Sequence, residues 1–255
     1  MPEAVRPIIS GAFDFTDLPD IIPNRVRVSS LTEAQKRYVV VWGGGLDNFF
    51  DSRRGDEAMV DDDQMGVLRR VRLFDTLGLK KGDSVIEVGA GGDWHTAAIA
   101  SCQGADYRNF HLDHRPTTFD SIFLPDFPRM KLLHPSLGSV ASEYADFAAR
   151  PGSMYAPEKP VEQGSADFVA LFNVLDEASG DATQPKAITR LTDASFKALK
   201  TGGFLILSTM DIASHDRILG VIEGRLASKK QAYTKMWDGR LDRIHYHTTV
   251  YRKDA

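Results

Sequence analysis

The sequence predicts an α/β protein: a mostly parallel sheet with helices on both faces. Two observations carry this expectation. From residue 83 onward, short β-branched or aromatic runs alternate with segments of helical spacing, the pattern of a doubly wound sheet. One of those runs, Asp83-Ser-Val-Ile-Glu-Val88, passes directly into Gly89-Ala-Gly-Gly92, a strand entering a glycine turn of the kind that accepts a nucleotide. At 255 residues the chain is long enough to bury one sizeable core.

The elements follow in order. Residues 1 to about 30 carry Pro2, Pro7, Pro19 and Pro23 among short apolar clusters and read as an extended arm. A helix is expected from Ser30, with Ser29 or Ser30 as its cap and Glu33 in the first turn; Leu31, Ala34, Tyr38 and Val41 keep helical spacing until Trp42-Gly-Gly-Gly45 breaks it. Residues 46–63 place Phe49 and Phe50 beside that glycine hinge, and two readings stand: a mobile cover over a site, or an ordinary surface loop. The run Asp61-Asp62-Asp63 reads as solvated. A clearer helix is expected at 64–77, with Met65, Leu68, Val71, Leu73 and Phe74 as its apolar stripe, Arg69, Arg70 and Arg72 as its wet face, and Gly78 as its stop.

Beyond it come a strand at 83–88, a helix at 93–102 capped by Asp93, and strands at 107–112 and 166–172. A helix at 185–199, a strand at 204–208, a helix near 214–226 and a strand within 243–252 complete the series. Residues 114–165 are proline-rich and too long for an ordinary connection, so an insertion is expected there.

Composition narrows the function classes. Lys and Arg number 31 against 35 Asp and Glu, a formal charge of −4, and no dense basic run appears, which disfavours a nucleic-acid substrate. The single cysteine, Cys102, permits no internal disulfide and reads as a packed thiol. No apolar run approaches membrane-spanning length and the N-terminus carries no leader pattern, so no membrane partner is expected and the expected compartment is the cytoplasm. A homodimer is an admitted assembly.

The segment Glu87-Val-Gly89-Ala-Gly91, with its acid two positions before the first glycine, resembles the first motif of class I S-adenosylmethionine-dependent methyltransferases. Lys200-Thr-Gly-Gly203 followed by Phe204-Leu-Ile-Leu-Ser208 resembles a late segment of the same superfamily. The resemblance implies a Rossmann-like, seven-stranded sheet with an antiparallel last strand. It places one methyltransferase domain at 65–255, with the insertion around 114–165, and makes 1–64 a helical arm and lid with no independent fold.

The implied reaction moves a methyl group from S-adenosyl-L-methionine to an oxygen or nitrogen of a small molecule and leaves S-adenosyl-L-homocysteine. The implied cofactor contacts are Glu87, Gly89, Ala90 and Gly91 after the first strand and Asp113 and His114 after the second. Asp146 and Phe147 are the candidates after the third, and Asn173 and Val174 after the fourth. Asp113 lies 113 − 91 = 22 residues beyond Gly91, near the spacing at which an acid reaches ribose hydroxyls in βαβ folds. Asp176, Glu177 or Asp211 would receive a substrate proton, or a histidine on the lid side would; Asp176 and Glu177 could equally cap a helix.

No metal is implied: His111 with Asp113, and His245 with His247, alternate on strand faces but lack a third ligand at suitable spacing. Two rival readings remain. An NAD-dependent oxidoreductase would use the same turn, but G-x-G-x-x-G here has Trp94 at its third glycine. A noncatalytic module would bind the cofactor without turnover.

Overall fold

A computed structural model describes residues 25–89, 95–110, 140–143, 161–172, 175, 185–210, 212–241 and 247–255. Its main sheet contains, in chain order, β4 (Ser84–Val88), β5 (Asp106–Phe110), β6 (Val140–Glu143), β7 (Ala166–Phe172), β8 (Leu199–Thr209), β9 (Tyr233–Arg240) and β10 (His247–Lys253). The spatial order is β6-β5-β4-β7-β8-β10-β9. The first five strands pair in parallel, and β10 runs antiparallel to both β8 and β9. From β4 the chain moves outward through β5 to β6 and then crosses back to β7 on the other side of β4. The order therefore reverses at β4, the place where open α/β sheets hold ligands.

Side-chain parity splits the core in two. Val85, Phe168 and Phe204 point to one face, where α1 (Glu33–Val41), α3 (Asp62–Thr76) and α4 (His95–Gln103) lie. Ile86, Val169 and Leu205 point to the other, packed by Ile188 and Leu191 of α5 (Pro185–Ala198) and Ile218 and Ile222 of α6 (Ile212–Ser228). β4 and β7 are buried along nearly their whole length, as a sheet covered on both sides requires.

Local chemistry sets the element ends. Asp61 caps α3 by accepting from the Gln64 amide at 2.7 Å, while the Gln64 side chain accepts from the Asp61 amide at 2.9 Å. The acidic run is thus a helix start: Asp62 and Asp63 fill the first turn, where carboxylates favour the positive end of the helix dipole. Gly78, at φ +80, closes α3, with Gly78 N–H donating to Asp75 O and Leu79 N–H to Phe74 O. At the end of α5 the Lys253 ammonium donates to Phe196 O at 2.6 Å and Leu199 O at 2.7 Å, fixing β10 to that helix.

Several expectations need correction. The cap of α1 is Thr32, boxed with Gln35, not Ser29 or Ser30. Residues Val28–Ser30 form a 3-10 turn in which Ser29 donates both its amide and its hydroxyl to Asp56, so the serines are already engaged. The segment 46–63 is regular structure: α2 (Leu46–Phe49), then β2 (Ser52–Arg54) and β3 (Glu57–Met59) joined through Gly55, whose φ of +63 suits a two-residue hairpin turn. With β1 (Arg25–Arg27) it makes a three-stranded sheet of order β1-β3-β2. That sheet shares a small core with α3 through Val26, Ala58, Val60, Met65 and Leu68.

Arg69 and Arg70 are not on a wet face. They are 6% and 5% exposed, because α3 is sandwiched between the main sheet and this N-terminal cluster. The glycine turn Lys200-Thr-Gly-Gly203 lies inside β8, where pairing with β7 jumps from Leu199↔Ala166 to Phe204↔Phe168. Lys200 there meets Asp167 at 2.8 Å, and Asp167 also accepts from the Ser84 amide.

Candidate functional site

The reversal point is built around β4. Gly89 follows the strand at φ +72, a conformation that leaves bare backbone at the carboxyl end, and its amide continues the ladder to Phe110 O at 2.8 Å. Glu87 is fully buried on the α1/α3/α4 side of the sheet. Its Oε1 accepts from the Thr96 hydroxyl at 2.9 Å and its Oε2 from the Tyr107 hydroxyl at 2.6 Å. Thr96 is in the first turn of α4 and Tyr107 is on β5, so one carboxylate ties together the strand, the helix beyond the glycine turn and the neighbouring strand.

The N-terminal helices pack close by, α1 on α4 and α3 on β7. The Tyr38 hydroxyl of α1 lies 2.9 Å from Nδ1 of His95, the first residue of α4. Arg37 donates to Cys102 O and to Gln103 Oε1 at 3.2 Å, near the other end of α4. α1 thus braces α4 at both ends. α3 crosses β7 in the opposite sense: Phe74 packs on Phe168 with ring centres 5.7 Å apart, and the Arg70 guanidinium lies 4.2 Å above the Phe172 ring. Phe172 is the last residue of β7.

A second polar group closes the carboxyl end of β8. His215 of α6, 2% exposed, pairs Nδ1 with the Thr209 hydroxyl at 2.7 Å and Nε2 with the Thr249 hydroxyl at 2.8 Å. Asp238 stands 3.9 Å away and the His247 ring 5.9 Å away. Burial holds the His215 pKa below the usual imidazole value, with Asp238 opposing that effect. Beside this group Met210 and Ile212 are exposed apolar side chains. No group of three or more His, Cys, Asp or Glu suited to a metal occurs among the described residues.

Of the residues expected to contact a cofactor, Glu87 and Gly89 are brought together at the end of β4. Ala90, Gly91, Asp113, His114, Asp146, Phe147, Asn173 and Val174 lie outside the described residues, as do the proton-acceptor candidates Asp176, Glu177 and Asp211. Sequence reasoning missed Thr96, Tyr107, Tyr38 and Arg70. A signal existed for Arg70: it falls three residues after Val67 and four before Phe74, on the stripe that faces the sheet.

No protein-family model matches the chain, and no curated protein matches it. Solved structures do. TYW2 of Pyrococcus horikoshii, in complex with MeSAdo, superposes with TM-score 0.50 at 14% identity, over 79% of this chain and 69% of that one. A SAM-dependent methyltransferase from Aquifex aeolicus matches with TM-score 0.48 at 12% identity, over 76% of this chain and 94% of that one. The ribosomal protein L11 methylase of Lactobacillus delbrueckii matches at 0.45 and 14% identity, over 76% and 79%. The likeness to TYW2 shows a shared α/β fold; an identity this low speaks to fold alone.

Proposed function

We propose that the protein is an S-adenosyl-L-methionine-dependent methyltransferase acting on an oxygen or nitrogen of a small-molecule acceptor. The observation that carries this reading is the buried Glu87 beside the left-handed Gly89, at the carboxyl end of the strand where the sheet order reverses. These residues fit the cofactor: bare backbone at Gly89 admits a ligand against the strand end, and the anchored carboxylate of Glu87 suits ribose hydroxyls or an ammonium group.

When bound, the cofactor supplies a methyl group already activated on a sulfonium, so the protein's task is alignment and exclusion of water. Glu87 holds the glycine turn against α4 and β5 through Thr96 and Tyr107. Gly89, Ala90 and Gly91 present backbone to the ligand, Asp113 is assigned to the ribose, and His114 with Asp146 and Phe147 to the adenine. Asn173 and Val174 are assigned to the rim after β7. Asp176, Glu177 or Asp211 takes the acceptor's proton where one must leave. The N-terminal segment, whose α1 contacts the start of α4, serves as the cover. The exposed Met210 and Ile212 mark an apolar side for the acceptor.

A melting experiment with three ligands separates this reading from the oxidoreductase. S-adenosylmethionine and S-adenosylhomocysteine raise the melting temperature and NAD does not, because only a ligand that prefers the native state stabilises it. Stabilisation by NAD alone overturns the reading. A screen with a labelled methyl donor over pools of small metabolites then tests turnover; binding without transfer to any pool favours the noncatalytic module.

A further inference from the structure

The outward face of the N-terminal sheet is charged and open. Register places Arg25, Met59 and Ser52 in one row across β1, β3 and β2, and Arg27, Glu57 and Arg54 in the next. Val26 and Ala58, of opposite parity, are buried in the small core shared with α3. The six outward residues are exposed, and over β3 a groove of about 230 Å³ is lined by Arg25, Ser52, Arg54, Glu57, Ala58 and Met59.

One carboxylate serves three guanidiniums on this face. Glu57 lies 3.6 Å from Arg25 and opposite both Arg27 and Arg54, which leaves an excess of two positive charges. Other acids nearby are held by other groups. Asp56, near Arg27 and Arg53, accepts from the Ser29 amide and hydroxyl, and Asp47 meets Arg53, whose parity is that of the opposite face. Met59, 38% exposed, adds an apolar floor between the arginines. The partner such a face fits is short, acidic and apolar at once.

The chain carries such a segment directly before β1. Residues 1–24, outside the described residues, hold Glu3, Asp14, Asp17 and Asp20 against Arg6, with Phe15, Leu18 and Ile21 next to the last three acids. Asp20 and Asp14 stand 25 − 20 = 5 and 25 − 14 = 11 residues before Arg25. An extended chain covers about 3.3 Å per residue, so both acids reach across a face about 10 Å wide after a reversal at the turn-forming pair Pro23-Asn24. Covalent attachment also gives the segment a high effective concentration at the groove. A second copy of the face would be repelled, since both carry excess positive charge. A polyanion would meet the central Glu57 and a chain of formal charge −4.

We infer that the outward face of β1-β3-β2 is the docking site of the chain's own acidic segment, residues 14–20, whose aspartates pair with Arg25, Arg27 and Arg54 and whose apolar residues contact Met59.

Chymotryptic cleavage of the full chain after Phe13, Phe15 or Leu18 tests it, because the rate follows the fraction of time the segment is undocked. Each rate is taken relative to a free peptide of the same sequence. At low salt the segment is cut about 10-fold more slowly than the peptide, the protection that a few exposed ion pairs together supply, and in about 1 M salt most of that protection is lost. Arg25→Glu with Arg54→Glu removes the protection at low salt, as does Asp17→Lys with Asp20→Lys, and combining all four substitutions restores it within about 3-fold. Absence of protection at every salt concentration overturns the inference and leaves the face to a separate acidic partner. Protection indifferent to both pairs of substitutions, or a combined variant as readily cut as either pair, overturns it too. Protection that rises with protein concentration together with a doubled mass in light scattering gives the face to a second copy, which also overturns it. If the sheet variant fails to fold, the Asp17→Lys, Asp20→Lys variant and the salt series decide.

Discussion

Glu87 concentrates the account into one side chain. Both its oxygens accept from buried hydroxyls, so Glu87→Gln turns one acceptor into a donor facing Thr96 or Tyr107, at a cost of about 1–3 kcal/mol. A melting temperature lowered by several degrees, with S-adenosylhomocysteine affinity reduced, is the expected result; unchanged stability would contradict the hydrogen-bonded arrangement. His215 makes a pH prediction. Its folded pKa lies below the value it has in the unfolded chain, so the unfolded state binds the proton first as pH falls. The stability this group contributes is complete above about pH 6.5 and is lost as pH drops through and below that value. His215→Asn should therefore flatten the dependence of melting temperature on pH between about 7 and 5, and an unaltered slope would refute the assignment. Burial also pushes the Cys102 thiol up to about 12, so thiol reagents should label it only on unfolding. At this scale the sequence revealed which residue carries the acid, because a strand, a carboxylate and glycines sit in a row. It did not reveal what holds that acid, since Thr96 and Tyr107 meet it only through packing.

Elements were legible where both termini carry local chemistry. α3 has a capping box at Asp61 and Gln64 and a glycine stop at Gly78, and its apolar stripe is strong. Yet its arginines were misplaced, because a helix covered on two sides has no single wet face. β6 and β9 were hard to read for another reason. Both are sheet edges, paired on one side, and Val140-Ala-Ser-Glu143 and the Gly239-containing β9 lack a β-branched run. The link between β10 and α5 gives an element-scale test. Lys253→Met leaves the Phe196 and Leu199 carbonyls without their cation at a cost of about 1–2 kcal/mol, which urea denaturation would register as a lower midpoint at unchanged slope. An unmoved midpoint would show that the contact adds nothing.

The whole molecule turns on one topological event, the reversal at β4, and on the burial of both sheet faces. Alternating strands and helices made the parallel sheet legible, and the two glycine segments resembled those of class I methyltransferases. The N-terminal sheet was not legible, because its three-residue strands hold too few residues for a period to appear and β1 joins the β2–β3 hairpin from about 30 residues away in the chain. Titration calorimetry of the unaltered protein with S-adenosylhomocysteine tests the central claim most directly. The account predicts saturable one-to-one binding that NAD does not compete for; absence of binding by both S-adenosylhomocysteine and S-adenosylmethionine would contradict it.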